Sequence, residues 1–399
     1  MLATASYKHT HQIRGSLIFI FILCPIITLP FILMEIYNGR KYAVGLFFTF
    51  LCLVAFYLPP FGDLYRYYSF NFINFKGIKF IDIFEFYITD VIWYAILYLV
   101  ANLNLSFQIA LLISCAIQYS IIYFVLKELN IFNDSNRKRR FWIIIGSAIF
   151  TGFWITFAAR FYLGASFFLL SILYLHKNKK RLALVWMIIA VLTHFSYIIF
   201  AIFTYIVLKF KKLITIKSAI LFSCIAYIGV LMIGSYLNTI GFKDSYIENS
   251  SNWKESYSIT LKLIDYVATG AVYLITILFT ITHKIYKGQG IYKLGLAFIA
   301  LSIATIPFPD IFQRTQYIVV LIGWFLFLLN KNEMSNGWRQ LFLYSSILSF
   351  LFSSLIYYRA IQLSDKSYLW LPIPLALVEN NYSYEWINKH IDNGNITNL

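Results

Sequence analysis

The stretch that decides the fold is residues 107–126, FQIALLISCAIQYSIIYFVL, in which no side chain carries a charge. An α-helix rises about 1.5 Å per residue, so this stretch is about 30 Å long, which is the thickness of the hydrocarbon core of a bilayer. Similar apolar runs recur along the 399 residues, which are 60% hydrophobic and only 13% charged. Soluble globular chains are about 45–50% apolar and about 25% charged. The sequence therefore predicts an all-α, polytopic integral membrane protein with one transmembrane domain over residues 1–399.

The basic residues indicate the orientation of this protein in the membrane. The net charge is +16, but Lys and Arg stand in short clusters between the apolar runs, as the positive-inside rule requires. The partner that this charge predicts is therefore the lipid bilayer, and no nucleic acid is expected. The four cysteines all lie inside apolar runs without a CxxC spacing, which indicates neither a zinc site nor a disulfide framework.

The spacing of the basic clusters predicts about twelve transmembrane helices, because the chain must leave and return between successive clusters. Three segments are then expected on the outer face: 61–106 with an interfacial helix at Val91 to Ala101, the loop 239–258, and the C-terminal tail 359–399. Val91 to Ala101 is about half the length that a span needs. If it does span the membrane, Asp63 moves to the cytoplasmic side.

Four residues, Asp63, Arg160, His194 and Arg314, stand at the ends of apolar runs. A charge at the bilayer centre costs about 2.5–3.5 kcal/mol on insertion scales, so polar groups at membrane level usually have a function. In the predicted topology all four reach the outer face, where a carboxylate, two guanidiniums and an imidazole form a site for a phosphate-bearing substrate. The alternative for the arginines is snorkelling to lipid headgroups. For Asp63 it is an interfacial aromatic loop, and for His194 a structural hydrogen bond.

Several common catalytic motifs are missing. The sequence has no Walker A loop, no GxGxxG, no HExxH and no GxSxG. ATP-driven transport, dinucleotide chemistry and zinc or serine hydrolysis therefore have no support, and we expect no cofactor and no metal.

The remaining motifs form an ordered set over roughly residues 40–330. They are Gly62-Asp63 followed by Tyr65 and Tyr67, Arg160 with Gly164 and Ala165, the Lys-rich turn Lys177 to Lys180, His194-Phe195-Ser196, and Arg314 with Tyr317. Together and in this order they resemble the EpsG/Wzy-type family of bacterial polysaccharide polymerases.

This resemblance implies a fold and an activity. The fold is a helical bundle similar to that of membrane glycosyltransferases of the GT-C class. The activity is joining undecaprenyl-diphosphate-linked oligosaccharide repeat units into O-antigen or capsular or exopolysaccharide at the periplasmic face of the bacterial cytoplasmic (inner) membrane. A chain-length regulator protein is a further expected partner.

The resemblance also assigns roles to residues. Asp63 and His194 are the candidate catalytic residues. The candidate ligands of the diphosphate or sugar are Arg66, Tyr67, Arg160, Arg314 and Tyr317.

Other membrane functions remain open at this point. A lipid-linked oligosaccharide flippase would be equally helical and basic, but it should show two related halves, which the sequence does not display. An O-antigen ligase would use similar Arg and His chemistry, and a membrane acyltransferase would place a His near an acid in a different arrangement. The product separates these activities, because only a polymerase lengthens the lipid-linked chain.

Overall fold

The computed structural model is almost entirely helical over the residues that it describes, which are 14–83, 89–151, 159–239, 259–282, 289–356, 362–364, 366–379, 382, 384–392 and 395–396. Its α-helices are α1 (Arg14–Leu23), α2 (Pro25–Tyr37), α3 (Lys41–Phe56), α4 (Asp63–Arg66), α5 (Val91–Asn102), α6 (Phe107–Glu128), α7 (Arg137–Thr151), α8 (Ala159–His176), α9 (Lys180–Thr193), α10 (Tyr197–Lys209), α11 (Ile216–Thr239), α12 (Ile259–Thr282), α13 (Gln289–Ala304), α14 (Pro309–Leu329), α15 (Asn336–Ile356), α16 (Ile373–Glu379) and α17 (Tyr384–His390). A π-helical turn (Tyr67–Phe72) and two 3-10 turns (Phe80–Asp82 and Lys366–Trp370) complete the helical structure. The two-residue strands β1 (Ile391–Asp392) and β2 (Asn395–Ile396) pair antiparallel. The predicted all-α class is confirmed.

Three of the described helices are long and apolar enough to cross a membrane, judged by length and composition: Phe107–Glu128, Ala159–His176 and Ile311–Leu329. Several shorter apolar helices accompany them, among them α3 and α10. Helix α5 has 12 residues and is about 18 Å long, which is short for a span. Its interfacial position stays a prediction. The count of about twelve spans stays a prediction.

The N-terminal apolar run, residues 16–37, is divided between two helices at Cys24. Cys24 has φ −156° and ψ 89°, and Pro25 occupies the first position of α2. Proline has no backbone N–H and a fixed φ, so it begins a helix more easily than it continues one. The predicted outer loop 239–258 lies, from residue 240 onward, outside the described residues, as do residues 84–88 of the segment 61–106.

The chain divides into two compact units. The first comprises Met1–Ser166, Leu192–His194 and Tyr357–Leu399. In it α3 packs on α2 and α6, and α5 packs on α6. A core cluster joins the segment 61–106 to the start of α8 and to the C-terminal tail. Its buried members include Leu64, Trp93, Ala159, Ile387 and Ile391. The C-terminal tail is therefore folded against the segment that carries Asp63.

The second unit comprises Phe167–Val191 and Phe195–Ile356. Helix α12 packs on α15 and α14, and α13 packs on α14 and α11. The contact between α12 and α14 is close, because a Cβ atom at Gly323 would overlap the side chain of Thr276. Glycine at this position lets the two helix backbones approach each other, as small residues do in membrane helix pairs.

Candidate active site

The segment that begins at residue 61 turns directly after α3. Pro59-Pro60 ends the helix, and Gly62 has a φ of +59°, which glycine adopts without strain. Asp63 then opens the short helix α4 and Arg66 closes it, with 3.8 Å between Asp63 Oδ1 and Arg66 Nη1. Both side chains are about half exposed, at 51% and 53%. Asp63 therefore presents an accessible carboxylate on the first unit.

Asp90, the residue before α5, has an unusual environment. It is 4% exposed, and its backbone is left-handed, with φ 61° and ψ 34°. An Asp at this position ordinarily accepts a hydrogen bond from a backbone N–H of the first turn, but the Asp90 side chain makes no such bond. The carboxylate instead forms an ion pair through Oδ2 with Arg160 Nη1, and its Oδ1 lies 4.0 Å from His194 Nδ1.

Arg160 is the second residue of α8. A cation in the first turn of a helix is disfavoured by the helix dipole, and α8 carries no acidic residue in its first turn. The compensating charge comes from Asp90, 70 residues earlier in the chain. The guanidinium carbon also lies 5.0 Å from the ring centroid of Tyr67, which is a cation–π distance. The Arg160 side chain is 26% exposed, so it is the member of the pair that a ligand can reach.

His194 lies in the turn between α9 and α10, where residues 194–196 are not helical. Its side chain is 9% exposed, and its ring stands edge-on to Phe161 at a centroid distance of 5.6 Å. A separation of 4.0 Å from Asp90 is too long for a hydrogen bond but short enough for charge attraction when the imidazole is protonated. The carboxylate of Asp90 thus has a guanidinium on one oxygen and an imidazole beside the other.

Tyr67 is the aromatic member of the cluster, with its ring against the guanidinium of Arg160. It is buried, and its ring packs edge-on against Trp93 at 5.5 Å. Burial raises the pKa of Tyr67 above its ordinary value, and the charge of Arg160 opposes that rise without cancelling it. The phenol is therefore neutral at neutral pH, so Tyr67 contributes a ring face rather than a charge.

The structure brings three of the sequence-predicted site residues together, Tyr67, Arg160 and His194, and joins Asp90 to them. Asp63 and Arg66 pair with each other in the same unit. Arg314 and Tyr317 lie on the first turns of α14, in the second unit. Among the described residues, no group of three or more His, Cys, Asp or Glu side chains is placed to hold a metal ion.

Sequence reasoning did not single out Asp90, although two signals mark it. It stands directly before the apolar run that begins at Val91, where an Asp predicts the start of a helix. It is also an acid at the edge of an apolar segment, the type of position that argues for function in a membrane protein. Its partners were not predictable, because they lie far away in the sequence.

Comparison with known proteins gives the family of the chain. None of the curated proteins and none of the solved structures matches it significantly. The EpsG family model matches residues 42–373 of the 399, a range that holds Tyr67, Asp90, Arg160 and His194. The chain therefore belongs to the EpsG family, whose membership indicates a membrane protein of the polysaccharide polymerase type.

Proposed function

We propose that the protein is a membrane glycosyltransferase that polymerises undecaprenyl-diphosphate-linked oligosaccharide repeat units into O-antigen or capsular or exopolysaccharide. The observation that carries the proposal is the position of Arg160. Its guanidinium is partly exposed, at the start of an apolar helix long enough to span a membrane. A lipid-linked donor presents its diphosphate at that level, and the planar guanidinium makes paired hydrogen bonds to phosphate oxygens.

The other residues are given roles by their chemistry. Arg160 neutralises the lipid diphosphate as it leaves, which is electrostatic stabilisation of the transition state. Arg314 is a further candidate ligand of a phosphate group. Asp63 and Arg66 offer exposed polar groups to the acceptor sugar, and Tyr67 and Tyr317 offer ring faces to the donor. His194 assists by moving a proton or by binding phosphate. The sugar is already activated by its diphosphate, so the proposed reaction uses no nucleotide and no metal.

The proposed location is the bacterial cytoplasmic membrane, with the site on the periplasmic face. The basic clusters support this orientation, because clustered Lys and Arg remain in the cytoplasm, and Lys177 to Arg181 follow the end of α8 that is opposite to Arg160. A lipid-linked substrate reaches such a site from the bilayer, and the growing chain extends into the periplasm. A chain-length regulator is a proposed protein partner.

The test is reconstitution of the purified protein in liposomes with lipid-linked repeat units, followed by separation of the products on a gel. We expect a ladder of lengthened lipid-linked chains. Arg160→Ala should abolish the ladder, and Arg160→Lys should already impair it, because lysine keeps the charge but loses the planar fork.

The matched control is Arg139→Ala. Arg139 also pairs with a buried carboxylate of the first unit, Asp134, at 2.6 Å, but it belongs to the cluster assigned to the cytoplasmic side. This variant should keep the ladder. A full ladder from Arg160→Ala at normal protein level would reduce Arg160 to a headgroup anchor. Transfer to a lipid A core without lengthening would identify a ligase, and movement of the lipid-linked unit without a new bond would identify a flippase.

A further inference from the structure

We infer that Asp90 is the proton acceptor of the proposed reaction, and that the substrate diphosphate activates it by taking over its partner Arg160. This inference rests on the proposed function and deepens it, since it names the group that receives the acceptor's proton and the event that prepares it. It is carried by three observations on Asp90: its backbone conformation, its burial between a guanidinium and an imidazole, and the unequal exposure of those two groups.

The first observation is that Asp90 adopts a left-handed backbone without a side-chain bond to the start of its helix. This conformation is unfavourable for an L-residue, although Asp and Asn tolerate it better than most residues. With φ 61° and no side-chain cap bond, Asp90 adopts it while its carboxylate turns to Arg160 instead of the start of α5. Strain of this kind concentrates at functional sites.

The second observation is the charge balance of the cluster. A buried carboxylate needs a compensating charge, and Asp90 is 4% exposed with Arg160 on one oxygen and His194 near the other. While Arg160 is paired with the carboxylate, its guanidinium occupies one carboxylate oxygen and keeps a sugar hydroxyl away from it. That oxygen becomes accessible to a substrate only if the guanidinium is drawn away.

The third observation is that an incoming anion meets the cation first. The Arg160 side chain is 26% exposed, whereas those of Asp90 and His194 are 4% and 9% exposed. A diphosphate carries more negative charge than one carboxylate, so it competes successfully for the guanidinium. Drawing Arg160 toward the diphosphate exposes the Asp90 oxygen that it held, and the acceptor hydroxyl can then donate its proton to that oxygen.

The reaction step then balances as follows. The oxygen of the acceptor hydroxyl forms a bond to the anomeric carbon of the donor sugar, and the bond from that carbon to the phosphate oxygen breaks. The electron pair of the broken bond leaves with the lipid diphosphate, whose charge Arg160 stabilises. The hydroxyl proton passes to an Asp90 carboxylate oxygen, and it returns to solvent when the lipid product departs and Arg160 pairs with Asp90 again.

The half-exposed Asp63 has a different role in this scheme. Its carboxylate is 51% exposed, and its partner Arg66 is similarly exposed, so the carboxylate can hydrogen-bond to a sugar hydroxyl without displacing a buried partner. Asp63 orients the acceptor sugar through hydrogen bonds. Asp63→Asn therefore retains more chain extension than Asp90→Asn.

The experiment compares three substitutions of Asp90 in the full-length protein in lipid nanodiscs. Binding of undecaprenyl diphosphate is measured directly, and chain extension is measured with the lipid-linked repeat unit. Asparagine and glycine both accept the left-handed backbone, so Asp90→Asn and Asp90→Gly should fold. We expect both to bind undecaprenyl diphosphate at least as tightly as the wild type, because a competing anion is gone. Both should lose about 10²–10⁴ in rate, as expected for loss of a general base.

The third substitution, Asp90→Glu, separates chemistry from backbone conformation. Glutamate keeps a carboxylate but accepts a left-handed backbone less readily than asparagine does. A proton acceptor predicts that Asp90→Glu is more active than Asp90→Asn, whereas a purely structural residue predicts the reverse order. Asp134→Asn is the matched control, since it removes another buried carboxylate paired with an arginine. It should change the thermal unfolding temperature without a selective loss of turnover.

The outcomes separate this inference from the proposed function. A wild-type protein that neither binds undecaprenyl diphosphate nor extends chains overturns the proposed function itself. A wild-type protein that does both, together with an Asp90→Asn variant that extends chains at near the wild-type rate, overturns only the role of Asp90. Parallel loss of binding and turnover in Asp90→Asn and Asp90→Gly also overturns it, because it makes the carboxylate a structural element.

Discussion

At the scale of single residues, the surroundings of Tyr67 indicate that it takes part in binding and not in proton transfer. Its ring lies 5.0 Å from the guanidinium carbon of Arg160, and burial raises the pKa of its phenol. A neutral phenol cannot serve as a base at neutral pH, whereas its ring contributes about 0.5–2 kcal/mol as a cation–π partner. The ring, rather than the hydroxyl group, should therefore matter for the site.

We predict that Tyr67→Phe extends chains at close to the wild-type rate at neutral pH, while Tyr67→Leu, which removes the aromatic face, weakens binding of undecaprenyl diphosphate. The measurements are the product ladder and direct lipid binding.

The pH dependence of stability has a definite sign. A raised folded-state pKa stabilises the fold at pH values below the ordinary value of 10.0, and that contribution is lost as the pH rises from there toward the folded-state value.

The thermal unfolding temperature of the wild type should thus fall more steeply with pH than that of Tyr67→Phe once the pH exceeds about 10. If the unfolding temperatures of the two proteins change with pH in parallel, burial does not raise the pKa of Tyr67. A Tyr67→Phe variant without polymerase activity at neutral pH would show that the hydroxyl group takes part in the reaction.

The residues of the site were predictable from sequence to the extent that each one stands out alone. Arg160 and His194 interrupt apolar runs, and Tyr67 follows the Gly62-Asp63 element. Asp90 was missed because its importance comes from pairing with a residue 70 positions away. A single sequence carries no information on that pairing.

At the scale of secondary-structure elements, the helices follow the apolar runs between the basic clusters, as predicted. The run 107–126 lies within α6 (Phe107–Glu128). The fold of the tail was not predictable, because its contacts are distant ones. The Tyr382 hydroxyl group donates a hydrogen bond of 2.7 Å to the carbonyl of Tyr57, and Ile387 is buried in the core that contains Trp93.

The contact between α12 and α14 yields a prediction for helix packing. A Cβ atom at Gly323 would overlap Thr276, whereas a Cβ at Gly295 on α13 would meet its neighbours at 3.4–3.8 Å, an ordinary contact. Overpacking costs about 1–3 kcal/mol, and replacing glycine by alanine within a helix gains up to about 1 kcal/mol. We expect Gly323→Ala to lower the thermal unfolding temperature in detergent and Gly295→Ala to leave it unchanged or raise it.

The cause of the loss can be checked by a second substitution. Thr276→Ser removes the methyl group that a Cβ at Gly323 would meet first, so it should restore part of the stability of Gly323→Ala. Equal unfolding temperatures for Gly323→Ala and Gly295→Ala would show that α12 and α14 do not need this close approach.

At the scale of the whole molecule, the surface is that of a protein surrounded by lipid. Large apolar side chains of α11 face outward, including Leu221 at 62% exposure and Ile225 at 62%. Helices satisfy their own backbone hydrogen bonds, which is the condition for crossing a hydrocarbon layer. Membership of the EpsG family agrees with this surface. Which face of the membrane each loop occupies depends on charge rather than on packing, and the basic clusters are the basis for that prediction.

The orientation is tested by labelling single cysteines in whole cells with a maleimide that does not cross the membrane, in a background without Cys24, Cys52, Cys115 and Cys224. Lys76 of the outer segment and Lys138 of the basic cluster 137–140 are both exposed, so access and not burial decides their labelling. We expect Lys76→Cys to react in intact cells and Lys138→Cys to react only after permeabilisation, because clustered Lys and Arg remain in the cytoplasm. The reverse pattern would place Asp63 and Asp90 on the cytoplasmic face. Asp90 would then need a substrate presented from the cytoplasm, and the periplasmic polymerase would have to be abandoned even if the Asp90–Arg160 pair proved essential.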